Sequence, residues 1–299
     1  MELKQLSAFI DKAKGKTIKR LVVAAAADEP VLEAVRDAVK EGIIVPILVG
    51  DKTEITNICN KINFKLDGIE IVQEKDPLAA SAKAVEIIKS GKGDILMKGL
   101  VGTGPMLKYV LDKEKGLRKG STLSHIAIFE SPYYHKLIAV TDAAMNVTPD
   151  FDEKVAIINN AVEAMKKLGY KNPKIAVIGA VETVNPKMEA TVHAAMLTQM
   201  NKRNQIKGCI IDGPLALDNA VSKEAAHHKG IVSEVAGDCD LIMTPDINCG
   251  NILYKSINFL GGGICAAVIM GATVPIVLTS RSDSDRSKLM SIAMAAAME

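Results

Sequence analysis

Tryptophan is missing from this chain, and aromatic residues of every kind make up only 3% of its 299 residues. That scarcity argues against a base-stacking platform for nucleic acid and against an all-β recognition domain. Charge of one sign is also lacking. With 37 Lys and Arg against 35 Asp and Glu, the net charge is +2, so a nucleic acid held by a broad basic field is not expected, while small anionic ligands stay open. Cysteine is sparse: Cys59, Cys209, Cys239, Cys249 and Cys265 are odd in number, widely spaced and never in a C-x-x-C pair. A reduced, cytoplasmic protein is the expectation. No apolar run approaches the ~20 residues that span a bilayer, so no membrane partner is expected. "KGKTIKRLVVAAAADEP" has the outline of a signal peptide, but its apolar run sits at the bottom of the usual ~7–15 residues and a capped helical pattern follows. A first β-strand explains it better.

What the chain has is apolar bulk, 48% by count, carried by Ala, Val, Ile and Met, with 24% charged residues. Its length suits two ordinary domains or one large α/β unit with a cleft. Short apolar runs alternate with amphipathic segments almost from end to end. "RLVVAAA" precedes "EPVLEAVRDAVKEG", "IIVPILVG" precedes "KTEITNICNKI", "GIEIVQE" precedes "DPLAASAKAVEIIKSG", and "DILMKG" precedes "GPMLKYVLDKEKG". This rhythm predicts βαβ units and a largely parallel sheet. It breaks at "LSHIAIFESPYYHKLIAVTDAA", where two strand-like runs lie too close for a parallel crossover and predict an antiparallel hairpin. A domain change is therefore placed near residue 124. The last strand, "VPIVLTS", and the helix after it suit either half.

Ligands of open α/β sheets sit at the carboxyl ends of the strands, so the loops there are the candidates. "MKGLVGTGP" places Lys98, Gly99, Gly102, Thr103 and Gly104 between a strand and a helix, where backbone amides, a helix N-terminus and a lysine suit an anion. It is not a Walker A sequence, and an ordinary Gly-rich turn is the alternative. "IDGPLALDNA" and "TPDINCGN" carry Asp212, Asp218 and Asp246, which either bind a metal or substrate together or, as such residues more often do, cap turns and helices. His227 and His228 fall near a helix end, where a solvated pair is the default. "GGGICA" matches a dinucleotide fingerprint weakly, since a helix and not a strand precedes it. Cys249 and Cys265 read as structural thiols. In "LTSRSDSDR" the fork of Arg281 suits phosphate or carboxylate, Ser280 offers a hydroxyl, and Asp283 or Asp285 a base. Capping of the last helix by Ser282, Asp283 or Ser284 competes with that reading.

Taken in order, "MKGLVGT", "TDAAMN", "VNPKM", "IDGPLALD", "VAGDCDLIMTPDINCGNILYK" and "LTSRSDS" resemble the phosphate acetyl/butyryl transferases over most of the chain, and "IKGCIIDGPLALD", "KEAAHHKG" and "TSRSDS" are similar to the butyryl branch. The resemblance implies the isocitrate/isopropylmalate dehydrogenase-like fold: two α/β domains, 1–123 with 275–299 and 124–274, with a cleft between them. It also implies a homodimer or higher homo-oligomer. The implied reaction is butanoyl-CoA and phosphate going reversibly to butanoyl phosphate and CoA by direct attack in a ternary complex. CoA and phosphate are substrates there, and no metal or cofactor is needed. In that frame Arg281 holds phosphate and Ser280 hydrogen-bonds the thioester. Lys98, Gly99, Thr103, Arg118, Asp246 and Asn248 bind substrate. The base of the acetyl branch falls on Ser287 here, which shifts the role to Asp283, with Asp285 second. Two rivals are a metal- and NAD-dependent hydroxy-acid dehydrogenase of the same fold, and a non-catalytic binder of acyl-CoA or acyl phosphate.

Overall fold

A computed structural model describes residues 4–120, 122–278 and 283–299. The chain forms two compact units. The first comprises Ser7–Ser121 and Ala266–Glu299, the second Thr122–Cys265 with the N-terminal residues up to Leu6.

In the first unit α1 (Ala8–Lys14) leads into the expected alternation: β1 (Lys19–Ala24), α2 (Glu29–Lys40), β2 (Ile44–Gly50), α3 (Lys52–Lys61), β3 (Glu70–Gln73), α4 (Pro77–Lys89), β4 (Ile95–Lys98) and α5 (Thr103–Val110). The pairs β3–β2, β2–β1 and β1–β4 are all parallel. Leu21, Val22, Val23 and Ala24 of β1 are fully buried, which is why this strand reads as a continuous apolar run and not as an alternating one. A carboxylate stands just before each of α2, α3 and α4: Asp28 accepts from the Val31 amide at 3.3 Å, Asp51 from Thr53 at 2.9 Å and Asp76 from Ala79 at 2.7 Å. Helix α5 stops at Val110, sooner than "GPMLKYVLDKEKG" suggests, because Asp112 Oδ1 takes the amides of Glu114 and Lys115 at 2.9 and 2.7 Å and turns the chain. Gly116 then passes so near the carbonyls of Val110 and Asp112 that a Cβ would lie 2.4 Å from each.

The second unit opens with the hairpin. β5 (Ser124–Glu130) and β6 (Ile138–Thr141) are antiparallel, with Ala127 opposite Val140 and Phe129 opposite Ile138. There follow α6 (Phe151–Lys167), β7 (Lys174–Ile178), α7 (Glu189–Lys202), β8 (Ile210–Leu215), α8 (Leu217–Val221), α9 (Lys223–His228), β9 (Leu241–Met243) and α10 (Ile247–Lys255), which runs on into a π-helical turn, Ser256–Leu260. β6–β9, β9–β7 and β7–β8 pair in parallel. Beside β6, β7 and β9, Lys136, only 4% exposed, pairs with Asp240 at 2.6 Å and Asp238 at 3.1 Å, and Lys174 reaches Asp238 at 2.5 Å.

β10 (Ile264–Met270) returns the chain to the first unit, where β11 (Ile276–Val277) pairs antiparallel with β10 and parallel with β4. The closing helix, α11 (Asp285–Met298), packs on α1 and α2. Its second half is apolar all round and buried all round, as such a pattern requires. Among the capping candidates Ser284 takes the role, accepting from the Ser287 amide at 3.1 Å.

Candidate active site

The loop after β4 shows how its sequence divides the work. The amides of Gly99 and Leu100 donate to the carbonyls of Ala24 and Ala25, both at 2.8 Å, and Val101 N–H to Gly99 O at 2.9 Å. Gly99 is held against the end of β1 so closely that a Cβ would lie 2.2 Å from Ala25 O. A glycine is therefore required there for packing. Lys98 folds over the same loop, its Nζ 3.2 and 3.3 Å from the carbonyls of Gly99 and Val101. In the next turn Thr103 and Gly104 are the first residues of α5, so their amides have no intrahelical acceptor.

Arg118 sits on the exposed edge of a short antiparallel bridge to Ala272, flanked by Lys119 N–H to Gly271 O at 3.1 Å and Thr273 N–H to Leu117 O at 2.8 Å. Its backbone is fixed by these bonds, and the residue is exposed. Asp283 is half-buried two residues before α11, and its carbonyl accepts from Lys288 Nζ. Ser280 and Arg281 lie outside the described residues.

In the second unit Asp246 is the N-cap of α10, its Oδ1 accepting from the amides of Asn248 at 2.8 Å and Cys249 at 3.0 Å. Asn248 is exposed beside it. Asp212 takes the amide of Gly213 at 2.9 Å, and Asp218 takes that of Asn219 at 2.8 Å while pairing with Lys229 at 3.2 Å. The three aspartates thus serve their own loops. Among the described residues no three His, Cys, Asp or Glu side chains group so as to hold a metal ion. His227 and His228 are exposed at the end of α9. Burial raises the pKa of the Cys249 thiol, with the charge of Asp246 adding to it, and Cys265 Sγ lies 3.1 Å from the Tyr254 hydroxyl. Neither is an activated nucleophile by environment.

A family model described as phosphate acetyl/butaryl transferase matches residues 6–80 and 77–296. The chain belongs to this family. Phosphate butyryltransferase from Clostridium acetobutylicum is 49% identical over 98% of each chain. The crystal structure of a branched-chain phosphotransacylase from Enterococcus faecalis matches at a TM-score of 0.82 and 34% identity, covering 94% of this chain and 99% of that one. The fold alone reaches further: a 4-hydroxythreonine-4-phosphate dehydrogenase from Klebsiella pneumoniae shares it at a TM-score of 0.57 and 15% identity, over 95% of this chain and 99% of that one. The expected dehydrogenase-like α/β architecture is therefore the one this transferase family uses.

Within the family's motifs, one residue that sequence reasoning quoted but did not single out is Asp142 of "TDAAMN". It is 2% exposed. Its Oδ1 accepts the amides of Ala144 and Met145 at 2.8 and 2.9 Å, and its Oδ2 those of His125 at 3.2 Å and the Asn146 side chain at 2.5 Å. Gly250 of α10 passes its carbonyl so closely that a Cβ would lie 2.1 Å away. This carboxylate builds the loop after β6, and the only signal in the sequence is its place just beyond an apolar run.

Proposed function

We propose that this transferase-family chain moves a short acyl group between CoA and inorganic phosphate, butanoyl-CoA and phosphate giving butanoyl phosphate and CoA, reversibly. The observation that carries the reading is the 49% identity, over 98% of both chains, to a relative named phosphate butyryltransferase. In the forward direction a phosphate oxygen attacks the thioester carbonyl, the C–S bond breaks, and CoA leaves as a thiolate that takes a proton. Phosphate is a weak nucleophile toward a thioester unless it is held against the carbonyl, so positioning and charge compensation supply most of the catalysis.

The residue roles follow the resemblance to the family's motifs together with the chemistry of the side chains. The fork of Arg281 holds phosphate, Ser280 hydrogen-bonds the thioester, and Asp283 takes the thiol proton of CoA in reverse. Asp285, in the first turn of α11 and 68% exposed, pairs with Lys288 at 3.8 Å and is the second candidate for that step. Lys98 and Gly99 shape the anion loop, Thr103 presents its amide, and Arg118, Asp246 and Asn248 meet the larger substrate. Self-association belongs to the same reading. In α10 and the π-helical turn after it only Gly250 is buried, and Ile252, Phe259 and Leu260 are 66, 64 and 86% exposed, an apolar surface that suits a second copy of the chain. Five free thiols fit a reducing cytoplasm.

The test is thiol release with phosphate and a panel of acetyl-, propanoyl-, butanoyl- and branched acyl-CoA. Turnover that requires phosphate and peaks near four carbons is the expected result. Binding without turnover would leave a non-catalytic acyl-CoA binder in its place.

A further inference from the structure

The second unit buries a cation with no carboxylate in contact. Lys154, on the second turn of α6, is 4% exposed, and its Nζ lies 2.9 Å from Nδ1 of His193 on the second turn of α7. Glu189, Asp246 and Asp150 are the carboxylates whose charge reaches it, yet among the described residues none forms an ion pair with it. A protonated lysine has three donors and no acceptor, so the bond runs from Lys154 to Nδ1 and the proton of neutral His193 sits on Nε2, 3.9 Å from Glu189 Oε1. The Phe151 ring packs 5.3 Å from the imidazole and holds it in place. Burial pushes the Lys154 amine down from its ordinary pKa, and burial with the charge of Lys154 does the same to His193.

If this pair only tied α6 to α7, an apolar contact would do so without the cost of a desolvated ammonium, which runs to several kcal/mol. The position has a second property. Lys154 and His193 stand in the opening turns of their helices, and Asp246, whose charge acts on Lys154, is the cap of a third, α10. Glu189, Asp246 and Asp150 act on Lys154 through space only, so an anion arriving there meets an ammonium that no described carboxylate contacts.

We propose that Lys154 and His193 form an oxyanion site that takes a phosphate group, supplied either by inorganic phosphate or by the phosphates of CoA. Lys154 provides the charge, and His193 is a positioning residue that orients the ammonium. The identity of the two ligands rests on the transacylase reading, but anion binding itself does not. The test follows the thermal midpoint of the full chain with inorganic phosphate and, separately, with CoA and 3′-dephospho-CoA, for the native protein, Lys154→Met and Lys154→Arg.

The native midpoint rises with at least one ligand. Lys154→Met starts from a higher midpoint than the native protein, because an uncompensated charge is gone, and needs at least about tenfold more of that ligand for the same rise, the equivalent of one lost charged hydrogen bond. Lys154→Arg keeps part of the response, which also covers the case in which Lys154→Met fails to fold. Loss of the phosphate response identifies the phosphate subsite, and loss of the CoA response a CoA subsite, the 3′-phosphate if 3′-dephospho-CoA is unaffected. An unchanged response to both ligands, or a native protein that responds to neither, overturns the proposal. If the response is lost in Lys154→Met while the native protein turns over no acyl-CoA, the site stands and the transacylase reading falls. The reverse result sinks the site alone.

Discussion

Asp28, Asp51, Asp76, Asp150 and Asp246 occupy equivalent places, each accepting from an amide in the first turn of the helix that follows it. The spacing of aspartates behind apolar runs was legible as local hydrogen bonding, and Asp212, Asp218 and Asp246 each accept from an amide of their own loop or helix. What the sequence could not show is which carboxylate has charge left for a substrate. Asp246→Ala should therefore lose about 1 kcal/mol in urea unfolding, while Asp246→Asn, an equally good cap, should stay within a few tenths. An increase in KM for CoA in the stable Asp246→Asn variant would add a substrate contact to the cap. A second residue prediction concerns pH. Burial opposes the charge of Asp238, yet hydrogen bonds from Lys174, His135 and Lys136 outweigh it and hold its carboxyl well below the ordinary range. A carboxyl depressed in the folded state contributes stability that is full above its unfolded pKa, about 3.9, and is lost as the pH falls through and below that value. Unfolding midpoints measured from pH 7 to pH 3 should drop steeply at the acid end, and Asp238→Asn should flatten that drop. For Asp283→Asn the expected loss is about 100-fold in the rate of acyl transfer from acyl phosphate to CoA, the low end for a positioned base; a loss below tenfold moves the base elsewhere.

Strand and helix alternation was legible because parallel strands buried on both faces read as continuous apolar runs, and because the hairpin at β5 and β6 leaves too few residues for a crossover. The element ends were not. α5 ends early through an Asx turn at Asp112, and α10 runs into a π-helical turn closed by Gly261 N–H to Ser256 O at 2.9 Å, neither of which has a periodicity to betray it. The same α10 segment reads as an amphipathic helix but buries only Gly250. An element that exposes Ile252, Phe259 and Leu260 together offers an apolar face to the second copy of the chain proposed for it. Replacing Ile252 with Asp and Phe259 with Ser should convert an oligomer to monomer in sedimentation velocity while leaving the far-ultraviolet spectrum intact. A native protein that sediments as a monomer at micromolar concentration would leave that face without its proposed occupant.

At the scale of the whole molecule, family and fold were legible because several loop segments occur in a fixed order over most of the chain, and agreement of that length does not depend on any one residue. Site roles stay one level finer, since Ser280 and Arg281 lie outside the described residues and a buried pair such as Lys154 with His193, 39 residues apart in sequence, is joined only when α6 and α7 are folded. The choice between direct attack and a thiol-bound acyl-enzyme, however, can be tested at the scale of the whole molecule through its cysteines. Four of the five cysteines are buried, and burial raises the pKa of half-buried Cys249 as well as those of Cys59, Cys209 and Cys239, the first two to about 11 and Cys239 to about 12. A thiol nucleophile needs the opposite environment, a depressed pKa and an activating base. Direct attack then requires acyl-CoA and phosphate to be bound together. Labelled CoA should not exchange into butanoyl-CoA when phosphate and butanoyl phosphate are both absent, and Cys249→Ser should retain turnover within about twofold. Exchange under those conditions would mean that an acyl group rests on the protein, and its loss in Cys249→Ser would name the thiol that carries it.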